Sequence, residues 1–196
     1  MRKIILSLNI TNDHFIAGPD GSLDWHLPYW TDEMRDALGK LLDSCDTILL
    51  GRNTYNAFAA YWTVRSNDLT TPKGDLALVE MMNRYTKVVV SKTLSRTPWS
   101  NSVLVQQNVF RELKKLKQQS GKSIIVLGSC QLAAYLIKQD LIDEYYLWLH
   151  PISIKHGKAL PQLINLHVRA KVADIEEFSC GVIKRGYVKH TMSLQG

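Results

Sequence analysis

Residues 4–10, 47–50, 87–90, 103–105 and 123–127 form short aliphatic runs that are apolar on both faces and alternate with segments of helical period. A strand that is apolar on both faces must be covered on both sides, as in a parallel sheet between two layers of helices. The intervening segments 31–42, 54–61, 75–84, 109–119 and 131–138 therefore read as crossover helices of an α/β fold. In the fourth, Val109, Leu113 and Leu116 make an apolar stripe opposite the lysines of the basic stretch 111–117, which reads as a solvated helix face. The last third breaks the alternation. Residues 141–150 read as a strand stopped by Pro151, and 171–178 and 182–190 as a hairpin turning at Ser179-Cys180-Gly181 and closing one edge of a mainly parallel sheet. The polar stretch 66–74 is expected to be an exposed loop, and no linker or repeat divides the chain, so residues 1–196 are expected to be one domain.

Composition narrows the partners. The 24 Lys+Arg exceed the 18 Asp+Glu by six, giving a sequence pI near 9.2, but these charges are diffuse. No nucleic-acid surface is expected from them, whereas a small anionic ligand such as a dinucleotide suits a basic protein. Cys45, Cys130 and Cys180 are far apart and outside any C-x-x-C pair, so they read as free thiols, and no metal site is expected. The N-terminus begins like a signal peptide, but Asn9, Asn12 and Asp13 interrupt the apolar run. No run approaches the roughly 18–20 apolar residues that span a bilayer, so a soluble, cytoplasmic protein without a membrane partner is expected.

Three strand ends carry groups suited to phosphate. The run Ile48-Leu49-Leu50 leads into Gly51-Arg52-Asn53-Thr54, where glycine admits close approach, arginine supplies charge and a helix N-terminus presents free N–H groups. An ordinary strand-to-helix turn, with Asn53 or Thr54 as a cap, explains the same residues. The run 124–127 leads likewise into Gly128-Ser129-Cys130-Gln131-Leu132, and two such turns in one sheet could grip one pyrophosphate. Ser91-Lys92-Thr93, after a third strand, suits an adenosine 2′-phosphate, or is a polar strand end facing solvent. A long loop, 16–30, holds Trp25, Tyr29 and Trp30, which either wall a flat heterocycle or plug the top of the sheet. Asp32 and Glu33 suit a first helical turn, and His14, His26 and His150 read as exposed or structural. Nucleophilic catalysis lacks support, because Cys130 has no identifiable base.

The order of these motifs resembles the dihydrofolate reductase-like superfamily, and within it the RibD C-terminal domain family, the reductase half of a riboflavin-biosynthesis deaminase-reductase. The resemblance rests on Phe15-Ile16-Ala17-Gly18-Pro19-Asp20-Gly21 with Leu23-Asp24-Trp25, on Leu49-Leu50-Gly51-Arg52-Asn53-Thr54-Tyr55, and on Val90-Ser91-Lys92-Thr93-Leu94. Val126-Leu127-Gly128-Ser129 and Leu141-Ile142-Asp143-Glu144-Tyr145 complete it, with no deaminase half expected before them. It implies a three-layer dihydrofolate reductase-like fold, a homodimer and an NADPH-dependent reductase. Ile16 and Ala17 would lie by the nicotinamide, Gly51, Arg52, Asn53, Thr54 and Gly128 to Leu132 by the pyrophosphate, and Ser91, Lys92 and Thr93 by the 2′-phosphate. Two departures stand out: Asp13-His14 replaces the usual Asp-Gly, and Lys155 stands where a glycine is usual in 154–158.

The resemblance also implies a carboxylate soon after Leu27-Pro28. Trp30 occupies that slot, so Asp32, two residues on, is the candidate catalytic group, with Trp25 and Trp30 as candidate substrate contacts. The expected activity is hydride transfer from NADPH to a small pterin- or pyrimidine-like heterocycle. Two rivals are a 5-amino-6-ribosylaminouracil phosphate reductase, with Lys155 and Lys158 toward the sugar phosphate, and an NADP-binding protein without turnover.

Overall fold

The protein, as a computed structural model, is described over residues 1–66, 68–163, 166 and 170–190. Its elements run β1 (Ile4–Thr11), β2 (Phe15–Ala17), α1 (Asp32–Asp43), β3 (Cys45–Gly51), α2 (Arg52–Arg65), α3 (Leu76–Arg84), β4 (Thr86–Val90) and β5 (Ser102–Val105). They continue α4 (Val109–Gln118), β6 (Ser123–Leu127), α5 (Cys130–Lys138), β7 (Glu144–His150), β8 (Lys158–Ala159), β9 (Ala170–Glu177) and β10 (Ile183–Lys189). A 3-10 turn, Asp24–Tyr29, leads into α1.

The main sheet has the order β5-β4-β3-β6-β1-β7-β10-β9. The first six strands are parallel, and β10 then pairs antiparallel with both β7 and β9. Strand parity sorts the core into two layers. Ile4, Leu6, Leu8, Leu49, Ile124 and Val126 face α4 and α5, whereas Ile5, Ile48, Leu50 and Ile125 face the residues of α1, α2 and α3. The fold is thus the three-layer dihydrofolate reductase-like architecture with its C-terminal antiparallel strands.

Several details differ from the sequence reading. Strand β7 starts at Glu144 rather than Leu141, because Asp143 is turned into a junction where its carboxylate accepts from Ile4 N at 2.7 Å and pairs with Lys117 at 2.5 Å. Lys117 is therefore not on a solvated face: it is buried one turn after Leu113, on the same side of α4. Helix α2 spans Arg52–Arg65, two residues earlier and four later than expected, so Thr54 lies inside its first turn instead of capping it. The expected loop 66–74 includes Asn67, which lies outside the described residues, as does 191–196 of the expected domain. The small β2–β8 pair has no counterpart in the aliphatic runs. No helix among the described residues is long and apolar enough to cross a membrane.

Candidate active site

The carboxyl ends of β3, β4 and β6 converge, and each brings the turn that the sequence marks. Gly51 and Ser129 are nearly in contact: a Cβ on Gly51 would sit 2.7 Å from Ser129 Oγ and 3.0 Å from Ser129 Cβ. Any side chain at 51 would therefore push the β3 and β6 turns apart. Thr54 Oγ1 accepts from Ser129 N at 3.4 Å, tying the first turn of α2 to the start of α5. Gly128 has φ +82°, a left-handed conformation that glycine adopts without a Cβ penalty and that lets β6 turn sharply into α5. Neither α2 nor α5 has a side-chain cap, in contrast to α1, where Thr31 Oγ1 accepts from Met34 N. Two helix N-termini whose cap residues make no side-chain hydrogen bond thus stand side by side.

The β4 turn joins them through Arg52, whose Nη1 donates to Thr93 Oγ1 at 2.7 Å while its Nε donates to Asn53 Oδ1 at 3.3 Å. Arg52, Asn53, Lys92 and Thr93 are exposed on one rim. Ser91 is turned inward instead: it is buried, and its hydroxyl accepts from the N–H groups of Thr93 and Leu94. On α5, Gln131 is exposed, whereas Leu132 is 5% exposed and packs in the core. Cys130 is half-buried and its Sγ donates to Ala159 O; burial raises its pKa against the opposing effect of Lys158, which keeps it a thiol.

Ile16 and Ala17 are buried on β2, which β8 holds over the end of β1. The contact is close enough that a Cβ on Gly157 would lie 2.4 Å from Ala17 O. Asp13 fixes the same region. Its Oδ2 accepts from Lys155 N at 2.8 Å and its Oδ1 from Thr11 Oγ1 at 2.6 Å and Ile154 N at 3.3 Å.

A second cluster lies on the α1 side of the sheet, at the ends of β1 and β7. His150 is 1% exposed, and its Nε2 lies 3.1 Å from Asn9 Oδ1. The rings of Trp25, Tyr29 and His26 meet it edge-on, with centroids at 5.2, 5.5 and 6.2 Å. Burial, helped by His26, pushes the His150 pKa down to about 4, so the imidazole is neutral at pH 7. The sequence reading found no partner for this histidine. Its one signal is parity: His150 shares a face with Trp148, whose Nε1 donates to Ser7 Oγ on β1.

The structure does not bring Asp32 into either cluster. Its side chain is 85% exposed and pairs with Arg35 at 2.6 Å on the outer face of α1. At about 100° per residue, Asp32 lies about 200° round the helix from Met34, which together with Ala37 and Leu42 marks the buried side. Trp30 is half-buried and packs against the core on the α1 side, and of the two tryptophans Trp25 is the one in ring contact with His150.

Parallel strands ending in glycine turns, with aromatic rings gathered round the buried His150 beside them, define a domain of the dihydrofolate reductase-like fold. Residues 2–184 match the RibD C-terminal domain model, and the chain belongs to that family. It is 31% identical over 188 residues to the uncharacterized protein YyaP of Bacillus subtilis (strain 168), covering 95% of this chain and 94% of YyaP. Among solved structures, the Thermotoga maritima diaminohydroxyphosphoribosylaminopyrimidine deaminase/5-amino-6-(5-phosphoribosylamino)uracil reductase matches with TM-score 0.67 and 18% identity, over 96% of this chain and 57% of that one. Dihydrofolate reductase from Enterococcus faecalis, complexed with NADP(H), matches with TM-score 0.63 and 13% identity, over 96% and 97%.

Proposed function

We propose that this protein is an NADPH-dependent reductase that transfers a hydride to a small pterin- or pyrimidine-like heterocycle. The observation that carries the reading is the junction of Gly51, Ser129 and Thr54, which sets the uncapped N-termini of α2 and α5 beside each other. A dinucleotide pyrophosphate carries two adjacent anionic groups, and two helix N-termini with free N–H groups suit them. The Arg52–Thr93 bond places a guanidinium at the rim with Lys92, where a 2′-phosphate would be held. The residues present therefore fit the cofactor that the family implies.

When bound, reduced nicotinamide supplies the hydride. The chain's own residues bind and orient: β2 and β8 form a rigid backbone wall behind Ile16 and Ala17, and Asp13 clamps the loops on either side of it. Trp25 and Tyr29, seated on His150, exclude water from the ends of β1 and β7. Asp32, exposed and paired with Arg35, is poorly placed to deliver a proton to a buried heterocycle. A homodimer and a cytoplasmic location accompany this reading as expectations of the family.

An NADPH-oxidation assay over folates, pterins and ribitylaminopyrimidines tests it. Turnover on one of these classes is expected; tight NADPH binding with no turnover on any of them would favour a nucleotide-binding protein without catalysis.

A further inference from the structure

Two of the buried side-chain atoms that have no hydrogen-bond partner among the described residues, Trp25 Nε1 and His150 Nδ1, belong to rings in edge contact. They are complementary. An amide oxygen only accepts, so with Asn9 Oδ1 at 3.1 Å the proton of neutral His150 sits on Nε2, and Nδ1 presents a bare lone pair. Trp25 Nε1–H can only donate. A buried donor or acceptor left unpaired is costly, so the pair favours a group that offers one acceptor and one donor side by side.

A cyclic amide has that complement on one edge, with C=O next to N–H. We propose, resting on the reductase reading above, that Trp25 and His150 are a specificity pair for the lactam edge of the heterocycle. The carbonyl accepts from Trp25 Nε1–H, and the adjacent N–H donates to His150 Nδ1. Entry requires Trp25 to part from His150 by the thickness of a ring. Trp25 lies on the Asp24–Tyr29 turn, none of whose six residues is buried, and Leu27 is 59% exposed on it. A turn held so lightly opens at low cost. Asn9 meanwhile keeps His150 in one tautomer, so the site rejects an analogue that has no N–H to give.

Water offers one donor and one acceptor as well, and N-methylation separates the two cases. Calorimetric titration of the full chain with pterin and with 3-methylpterin, in the absence of cofactor, is expected to give about ten-fold tighter binding of pterin. In His150→Phe the ratio should fall to within about two-fold, while NADPH affinity, measured separately, stays within about two-fold of native. His150→Gln, whose amide oxygen can accept, should keep part of the discrimination and guards against misfolding of the Phe variant. In the native chain, the 15N resonance of His150 Nδ1 should shift on addition of pterin and not of 3-methylpterin. Equal affinities in the native chain, binding of neither probe, or an unchanged ratio in His150→Phe would overturn the proposal. Failure of the native chain to bind NADPH would instead overturn the cofactor reading and leave the lactam titration to stand or fall on its own result.

Discussion

The Asp13 carboxylate accepts the backbone N–H of Lys155 at 2.8 Å, joining the loop after β1 to the loop after β7. The residues beside this bond explain its importance. His14 has φ +68° and Lys155 φ +64°, and these are the two positions where the family resemblance leads one to expect glycine. The backbone at both positions is left-handed, and neither residue is glycine.

A non-glycine residue in that region costs about 1 kcal/mol, so the loops must be held by other bonds. Asp13→Ala is expected to lower the unfolding free energy by about 1–3 kcal/mol, through loss of three accepted hydrogen bonds. Lys155→Gly keeps the backbone N–H and relieves the strain, so it should be neutral or stabilising by up to about 1 kcal/mol. Urea denaturation of both variants checks this; a loss of equal size in each would contradict it.

Gly157→Ala should disturb β2 directly, since the added Cβ would meet Ala17 O at 2.4 Å. Backbone cannot rotate away as a side chain can. A loss of about 1–3 kcal/mol in stability is expected, together with weaker NADPH binding if Ala17 lies by the nicotinamide. Thermal melts and a cofactor titration on the same preparation read both effects.

His150 gives the fold a pH dependence in acid. Its pKa is pushed down from 6.5 to about 4, so the unfolded chain takes up a proton that the folded chain refuses. Stability is therefore complete above pH 6.5 and falls as pH drops from 6.5 toward 4, by up to about 3 kcal/mol. His150→Gln removes this contribution. Comparing native and variant melts at pH 7 and pH 4.5 tests it, with a smaller acid loss expected in the variant.

Lys87 does the same at the alkaline end. It is fully buried on β4, donating to Met82 O at 3.2 Å and Asn83 O at 2.8 Å beneath the Trp99 ring, and desolvation lowers its pKa from 10.5 to about 8. The fold disfavours the charged form, so stability should rise between pH 8 and pH 10.5, by about 1–3 kcal/mol. Lys87→Met should lack the rise. Denaturation at pH 7.5 and pH 10, native against variant, isolates it from other titrating groups.

The apolar runs of β1, β3, β4 and β6 were legible because a buried parallel strand leaves an uninterrupted aliphatic signature. Gly51 and Gly128 were legible because a strand running into glycine and then a helix is a local pattern. The β2–β8 pair was hidden, since two or three residues carry no periodicity and the pairing depends on Gly157 meeting Ala17. His150 was hidden for a different reason: its partners Asn9 and Trp25 are distant in sequence, and only the β1–β7 register assembles them. The direction Asp32 faces follows from helix phase, which the spacing from Leu27-Pro28 does not carry. Met34, Ala37 and Leu42 set the buried side of α1, and Asp32 lies opposite. Lys117 could have been found by the same arithmetic, four residues after buried Leu113.

The central claim is that the strand-end junction holds a 2′-phosphorylated dinucleotide. Titrating native protein, Arg52→Ala and Lys92→Ala with NADPH and with NADH, followed by tryptophan fluorescence, tests it most directly. Native protein should prefer NADPH by at least ten-fold, roughly 1.4 kcal/mol; Lys92→Ala should lose most of that preference with NADH affinity little changed, whereas Arg52→Ala, between the pyrophosphate turn and Thr93, should weaken both dinucleotides and NADPH the more. Equal native affinity for the two dinucleotides, or a preference that survives both substitutions, would contradict it.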